Sequence, residues 1–112
     1  MSPRLRKSID NLSLIDYSVP SKAEVALDRL ASCLISEFQL DDSIFWGRAP
    51  SLREVIGMLS KKNIEFKNAA SIMPHVEALM KEAYNDELEE GDSERLAEHL
   101  GNLQKILRKI CN

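Results

Sequence analysis

Several features that mark common protein classes are missing from this chain. Its apolar runs are only a few residues long, far short of the roughly 20 needed to cross a bilayer. Its N-terminal segment is basic but lacks the apolar stretch that completes a secretory signal. The two cysteines, Cys33 and Cys111, form no CxxC motif, which leaves zinc ribbons and thioredoxin-type pairs without support. We therefore expect a cytoplasmic protein with two free thiols and no membrane contact.

Sequence motifs that prepare a site for a cofactor or a substrate are missing as well. Neither GxxxxGK[ST] nor GxGxxG occurs, so no loop is prepared to hold nucleotide phosphates. The only two histidines, His75 and His99, have no metal-ligand spacing and are expected at the surface or at the edge of the core. Cys33 falls on or beside an apolar helix face, where a thiol acts as a small hydrophobic group. The sequence thus predicts no catalytic residue, no cofactor and no metal.

The composition is that of one ordinary globular domain. The chain has 112 residues, of which 44% are hydrophobic and only 5% aromatic, so aliphatic side chains must fill the core. The net charge of −3 argues against a surface devoted to nucleic acid. The basic residues Arg4, Arg6 and Lys7 can form a local arm for phosphates, but three charges are few, and we favour a solvated terminus.

Apolar residues recur three and four apart along most of the chain, which is the spacing of amphipathic helices. A capping box over Ser21–Glu24 predicts the start of a helix that runs to about Leu40. A second box over Ser51–Glu54 predicts a helix over about 52–61, with Asn63 as a left-handed terminator.

Pro74 is expected to interrupt the next helical stretch. It lacks an N–H and would clash with the preceding turn, so we predict a short helix before Met73 and a longer one from Pro74 to about Asn85. No alternating strand pattern occurs. The predicted fold is all-α, a compact bundle of about four or five helices, with 1–20 as an arm or short helix packed on a bundle of 21–112.

Two loops are candidate surfaces for binding another protein. Phe45 and Trp46 lie before the second core helix, where aromatic side chains plug the core or anchor a partner; burial is the favoured alternative. The segment from Glu82 to Glu94 holds seven acidic residues and no basic one, which suits a basic partner. Its predicted contact residues are Glu87, Glu89, Glu90 and Asp92.

The last helix carries a leucine stripe with a coiled-coil-like spacing. Such a stripe is first of all a contribution to the chain's own core, but its regular period also allows a helix-to-helix dimer seam. The residues of this predicted seam are Leu96, Leu100, Leu103, Leu107 and Ile110. We therefore expect a homo-oligomer.

Two segments of the second half also carry a family resemblance. The first reads Ser51-Leu52-Arg53-Glu54-Val55-Ile56-Gly57-Met58-Leu59, and the second reads Tyr84-Asn85-Asp86-Glu87-Leu88-Glu89 before a final amphipathic helix. Their order resembles the helical HEPN superfamily, which pairs a Ser-Leu-x-x-x-Ile-x-x-Leu helix with a later Arg-Asn-x-x-x-His motif. Here Tyr84 replaces the arginine and Glu89 the histidine, while Asn85 matches. The resemblance implies a member that lacks the ribonuclease activity, is kept for binding and dimerises through its helices, with an acidic loop that would repel RNA.

The leading hypothesis is a small, non-enzymatic helical module that acts through protein contacts as a homodimer, with no cofactor. A competing hypothesis is a HEPN-like ribonuclease that uses a displaced set drawn from Arg53, His75 and His99. A third is a regulator that binds nucleic acid with its basic N-terminal arm, which the net negative charge disfavours.

Overall fold

The described residues form five α-helices. The computed structural model of the chain describes residues 1–17, 19–41, 43, 46–85 and 91–111, without the side chains of 20 and 82–85. The helices are α1 (Pro3–Asp10), α2 (Pro20–Phe38), α3 (Leu52–Lys62), α4 (Phe66–Asn85) and α5 (Asp92–Cys111), with a 3₁₀ turn over Asn11–Ser13. No strand occurs in these ranges. The predicted all-α bundle is confirmed.

The helices form a closed ring of neighbours around one aliphatic core. Each helix packs on the next one in sequence, and α5 packs back on α1, which closes the ring. Phe66 is the one aromatic among the largest fully buried side chains. The others are Leu5, Ile9, Leu12, Leu30, Leu34, Ile56, Met73, Leu96, Leu100, Leu103 and Leu107.

Of the two predicted capping boxes, one is present and one is not. At α3 the Ser51 hydroxyl accepts from the Glu54 N–H at 3.2 Å, and the Glu54 carboxylate accepts from the Ser51 N–H at 3.2 Å. At α2 the prediction was wrong, because the helix begins at Pro20 and Val19 is the N-cap, with no side-chain cap bond. Proline at the first helical position has the right φ and needs no N–H partner, so it starts the helix before Ser21 can cap it.

The helix ends also differ from the predicted ones. Asn63 is extended, with φ of −139°, so the prediction of a left-handed terminator there was wrong. Its side-chain oxygen instead accepts from the Glu65 N–H at 3.0 Å, an Asx turn that leads into α4. The left-handed helix end is at Gln39, with φ of 49°, directly after α2.

Pro74 lies inside one continuous helix, which corrects the predicted break. α4 runs from Phe66 to Asn85 through it. Pro74 is exposed, whereas Met73 and Val76 beside it are buried in the core. Because the proline ring faces solvent, water can satisfy the carbonyl that its missing N–H leaves free, while the buried residues on either side hold both halves of the helix against the core.

The N-terminal segment forms a short helix that packs on the body. Leu5 and Ile9 of α1 are fully buried, and the Ser2 hydroxyl accepts from the Leu5 N–H at 3.3 Å as the N-cap. At the other end of α1, the buried Gln104 side chain of α5 donates to the Ile9 carbonyl at 2.9 Å. The basic residues of this segment are therefore carried on an ordered helix.

Candidate functional site

Trp46 is the most exposed large apolar side chain of the described residues, at 96%. Burial was the favoured alternative in the sequence, and it was wrong. The loop between α2 and α3 places the indole outside the bundle because Leu40, at its start, fills the core position instead. Phe45, its predicted companion, lies outside the described residues.

The turn that carries Trp46 is held at both ends. The Trp46 N–H donates to the Ser43 carbonyl at 3.2 Å, and the Ser43 N–H donates to the Asp41 carboxylate at 3.0 Å. Hydrogen bonds from Ser43 hold the pKa of Asp41 below its usual value. After the turn, Arg48 makes a two-pronged ion pair with Glu54 of α3, both bonds measuring 2.8 Å. The indole is thus presented on an ordered support.

The backbone of this turn is itself unusual. Trp46 has φ of 54° and Gly47 has φ of 78°, so two successive residues are left-handed. A bulky residue rarely adopts that conformation, since it crowds Cβ against the next carbonyl. A cleft of about 420 Å³ opens beside the turn, and Ile35, Ser36, Gly47 and Pro50 are among its lining residues. An exposed aromatic group and a concave surface therefore lie on the same face.

The acidic loop lies partly within the described residues. Glu87, Glu89 and Glu90 lie outside the described residues. Asp92 is described, and it is only 3% exposed, with its carboxylate bound by the Arg95 guanidinium one turn along α5. The negative charge of an aspartate in the first turn of a helix also interacts favourably with the positive end of the helix dipole. Asp92 therefore supports its own helix and has little surface to offer a basic partner.

The leucine stripe of α5 points into the core of its own chain. Leu96, Leu100, Leu103 and Leu107 are each 0% exposed, and only Ile110 is partly accessible. In this fold the four leucines have no surface left for a second copy. The burial favours the intramolecular role of the stripe, so any dimer contact has to be sought on another face.

The structure brings together the two histidines that the sequence separates. His75 of α4 and His99 of α5 have parallel rings with centroids 5.3 Å apart. Two parallel rings cannot direct their in-plane nitrogen lone pairs at one ion, and no group of three metal-ligating side chains occurs among the described residues.

Arg53 and the two cysteines have contacts or surroundings of their own. The Arg53 guanidinium of α3 is bound by the Glu77 carboxylate at 2.7 Å. Cys33 of α2 lies 3.3 Å from the Ser8 hydroxyl of α1, and neither it nor Cys111 forms a disulfide. Burial, together with the nearby Glu37 carboxylate, raises the pKa of the Cys111 thiol to about 11, which makes it a poor nucleophile.

Sequence reasoning missed a groove between α1 and α2, a cavity of about 710 Å³. We call it the α1–α2 groove; its lining includes Arg4, Lys7, Asn11, Val25, Arg29 and Ser32. The basic arm predicted from the sequence includes Arg4 and Lys7. It does not include Arg29, which lies on the opposite wall. Only the packing of α1 on α2 brings these cations together.

Comparison with known proteins gives no identification. No family model, curated protein or solved structure matches this chain. Within the described ranges no helix is both long and apolar enough to span a membrane.

Proposed function

We propose that the protein is a small helical interaction module that self-associates through the face carrying Trp46. The observation that supports this proposal is the exposure of Trp46, 96% on a turn fixed by hydrogen bonds and an ion pair. Tryptophan is the side chain most enriched among residues that dominate protein interfaces. An indole outside the bundle is accessible to a partner, and the backbone N–H of Trp46 is already bonded to the Ser43 carbonyl.

A second copy is the partner that fits this face best. A two-fold symmetric contact uses the same patch on both subunits, so that patch must contain both a projection and a recess that accepts it. Trp46 is the projection, and the cleft lined by Ile35, Gly47 and Pro50 is the recess beside it. Each copy would then place its indole in the cleft of the other, and the leucines of α5 would stay in the two separate cores.

The contact should be of modest strength. Burying one aromatic side chain removes about 150–250 Å² from water, worth about 4–6 kcal/mol at about 25 cal/mol per Å². Two indoles per dimer would contribute twice this amount, against a loss of about 4–15 kcal/mol for bringing two molecules together. We therefore expect a dimer that dissociates on dilution.

The test is light scattering of the purified protein from micromolar to millimolar concentration, read together with tryptophan fluorescence. Trp46 is the only tryptophan, so its emission reports this face alone. We expect the mass to double and the emission to shift to the blue over the same concentration range. Trp46→Ala should stay monomeric with unchanged helical circular dichroism.

Two further variants distinguish association through this face from nonspecific association. Ala49→Arg fills the cleft and leaves the indole in place, so it should stay monomeric with a red emission at every concentration. Ile64→Ser removes another apolar side chain, 73% exposed on the α3–α4 connection, and should dimerise like the wild type. A wild-type protein that is monomeric throughout, or a dimer that persists in Trp46→Ala, would overturn the proposal.

A further inference from the structure

The α1–α2 groove concentrates positive charge on a protein whose net charge is −3. Arg4 and Lys7, three residues apart on α1, form one wall, and Arg29 of α2 stands on the other. All three are exposed, and none forms an ion pair with any residue of the described ranges. Asp28 is the one carboxylate among the lining residues, so the groove keeps a net positive charge.

Four other arginines of the chain are neutralised. Arg48, Arg53, Arg95 and Arg108 each bind a carboxylate. Three neighbouring cations without such partners repel one another, and an anionic ligand between the two walls would relieve that repulsion. The charge of the groove therefore indicates a negatively charged occupant.

The groove continues into an apolar surface. A second cavity, of about 440 Å³, shares Val25 and Arg29 with it and extends to Leu14. The Leu14 side chain is 79% exposed and that of Val25 is 50% exposed. Cations and accessible aliphatic groups thus lie on one continuous surface.

This combination distinguishes between two anionic partners. Nucleic acid is held by cations together with aromatic platforms on which bases stack, and the described residues lining the two cavities include no aromatic side chain. A protein segment with carboxylates on one side and aliphatic side chains on the other matches both the charge and the apolar strip. The eight residues of α1 span about 12 Å, which is enough for about two turns of a bound helix.

We propose that the α1–α2 groove binds an acidic amphipathic helix of another protein. Carboxylates of that helix would face Arg4, Lys7 and Arg29, and its aliphatic side chains would cover Leu14 and Val25. The two proposals depend on different residues, so either proposal can fail without the other.

The probe is a fluorescently labelled synthetic peptide whose Glu and Leu residues lie on opposite faces of a helix. Its binding is measured by fluorescence anisotropy. We expect it to bind, and to bind more weakly as salt rises, because salt screens exposed charges. The double reversal Arg4→Glu with Arg29→Glu should weaken binding by about tenfold or more, as loss of complementary charge pairs does. Leu14→Ser should weaken it severalfold.

Matched controls make the result specific to the groove. Lys62→Glu with Lys67→Glu changes the net charge by the same amount at two exposed positions outside the groove and should leave affinity within about twofold. A peptide of the same composition, reordered so that Glu and Leu no longer segregate, should bind weakly.

Three outcomes would overturn the proposal. The peptide does not bind; it binds the groove variant as well as the wild type; or a single-stranded oligonucleotide competes with it and binds independently of Leu14. The last outcome would assign the groove to nucleic acid instead.

Discussion

Gln104 provides the sharpest test of how α1 is attached to the bundle. Its side chain is only 6% exposed, and its amide nitrogen lies 2.9 Å from the Ile9 carbonyl, 3.3 Å from the Asp10 carbonyl and 3.3 Å from the Ser13 hydroxyl. These acceptors lie at the end of α1 and in the turn after it, where the Ile9 carbonyl also accepts from the Asn11 N–H and the Asp10 carbonyl also accepts from the Ser13 hydroxyl at 2.9 Å. Gln104→Met would keep the side chain's length and remove its donors.

The expected loss follows from the number of bonds. An amide has two N–H groups, so it satisfies at most two of the three acceptors at once. A hydrogen bond contributes about 0.5–1.5 kcal/mol net, so two such bonds contribute about 1–3 kcal/mol. We expect Gln104→Met to lower the free energy of unfolding by about 1–3 kcal/mol.

Urea unfolding measures this loss directly. With a slope of about 1–3 kcal/mol per M for a small protein, the midpoint should fall by about 1 M while the slope stays unchanged. Hydrogen exchange should also speed up at the α1 amides more than in α4. Asn102→Met, the same chemical change at an exposed position of α5, should stay within about 0.5 kcal/mol of the wild type. A Gln104→Met midpoint equal to the wild type's would refute this account.

Three further predictions concern the core and the α3 cap. Leu100→Ala, at a fully buried position, should lower the free energy of urea unfolding by about 2–5 kcal/mol, and a loss below about 1 kcal/mol would contradict its burial. Ser51→Ala should lower it by about 0.5–2 kcal/mol, with Ser60→Ala as the comparison outside the cap. Bonds from Arg48, then from the Ser51 N–H, lower the pKa of Glu54 from 4.5 to about 2. Its stabilisation is therefore complete above pH 4.5 and disappears as pH falls through about 2, and Glu54→Gln should flatten stability over that window in acid titrations of unfolding.

Local chemistry explains which helix boundaries were predictable. The box at Ser51 depends only on residues up to Glu54, so it forms wherever the chain turns into a helix there. The sequence supported the box at Ser21 equally well, but the helix already begins at Pro20, the residue before Ser21. Pro74 was mispredicted for a different reason. Its effect depends on whether its ring faces the core or solvent, and that orientation is decided by the tertiary packing of α4.

The candidate surfaces depend even more on tertiary structure. Arg4 and Arg29 are distant in sequence and meet only because Leu5 and Ile9 dock α1 onto the body. His75 and His99 meet because α4 packs on α5. No spacing rule within one helix predicts contacts of this kind, since such rules describe one element at a time.

Apolar residues at helical spacing identify the core, and exposed apolar residues outside that spacing identify candidate binding surfaces. The leucines of α5 obey the period and are fully buried, although the same period also allowed a dimer seam. Leu14, Trp46 and Ile64 lie outside any helical stripe, and all three are more than 70% exposed. A buried stripe lowers the free energy of the fold by itself, whereas an exposed apolar side chain gains that energy only when something covers it. For a chain without catalytic motifs, the apolar residues that break the period are therefore the ones to mutate first when seeking a partner.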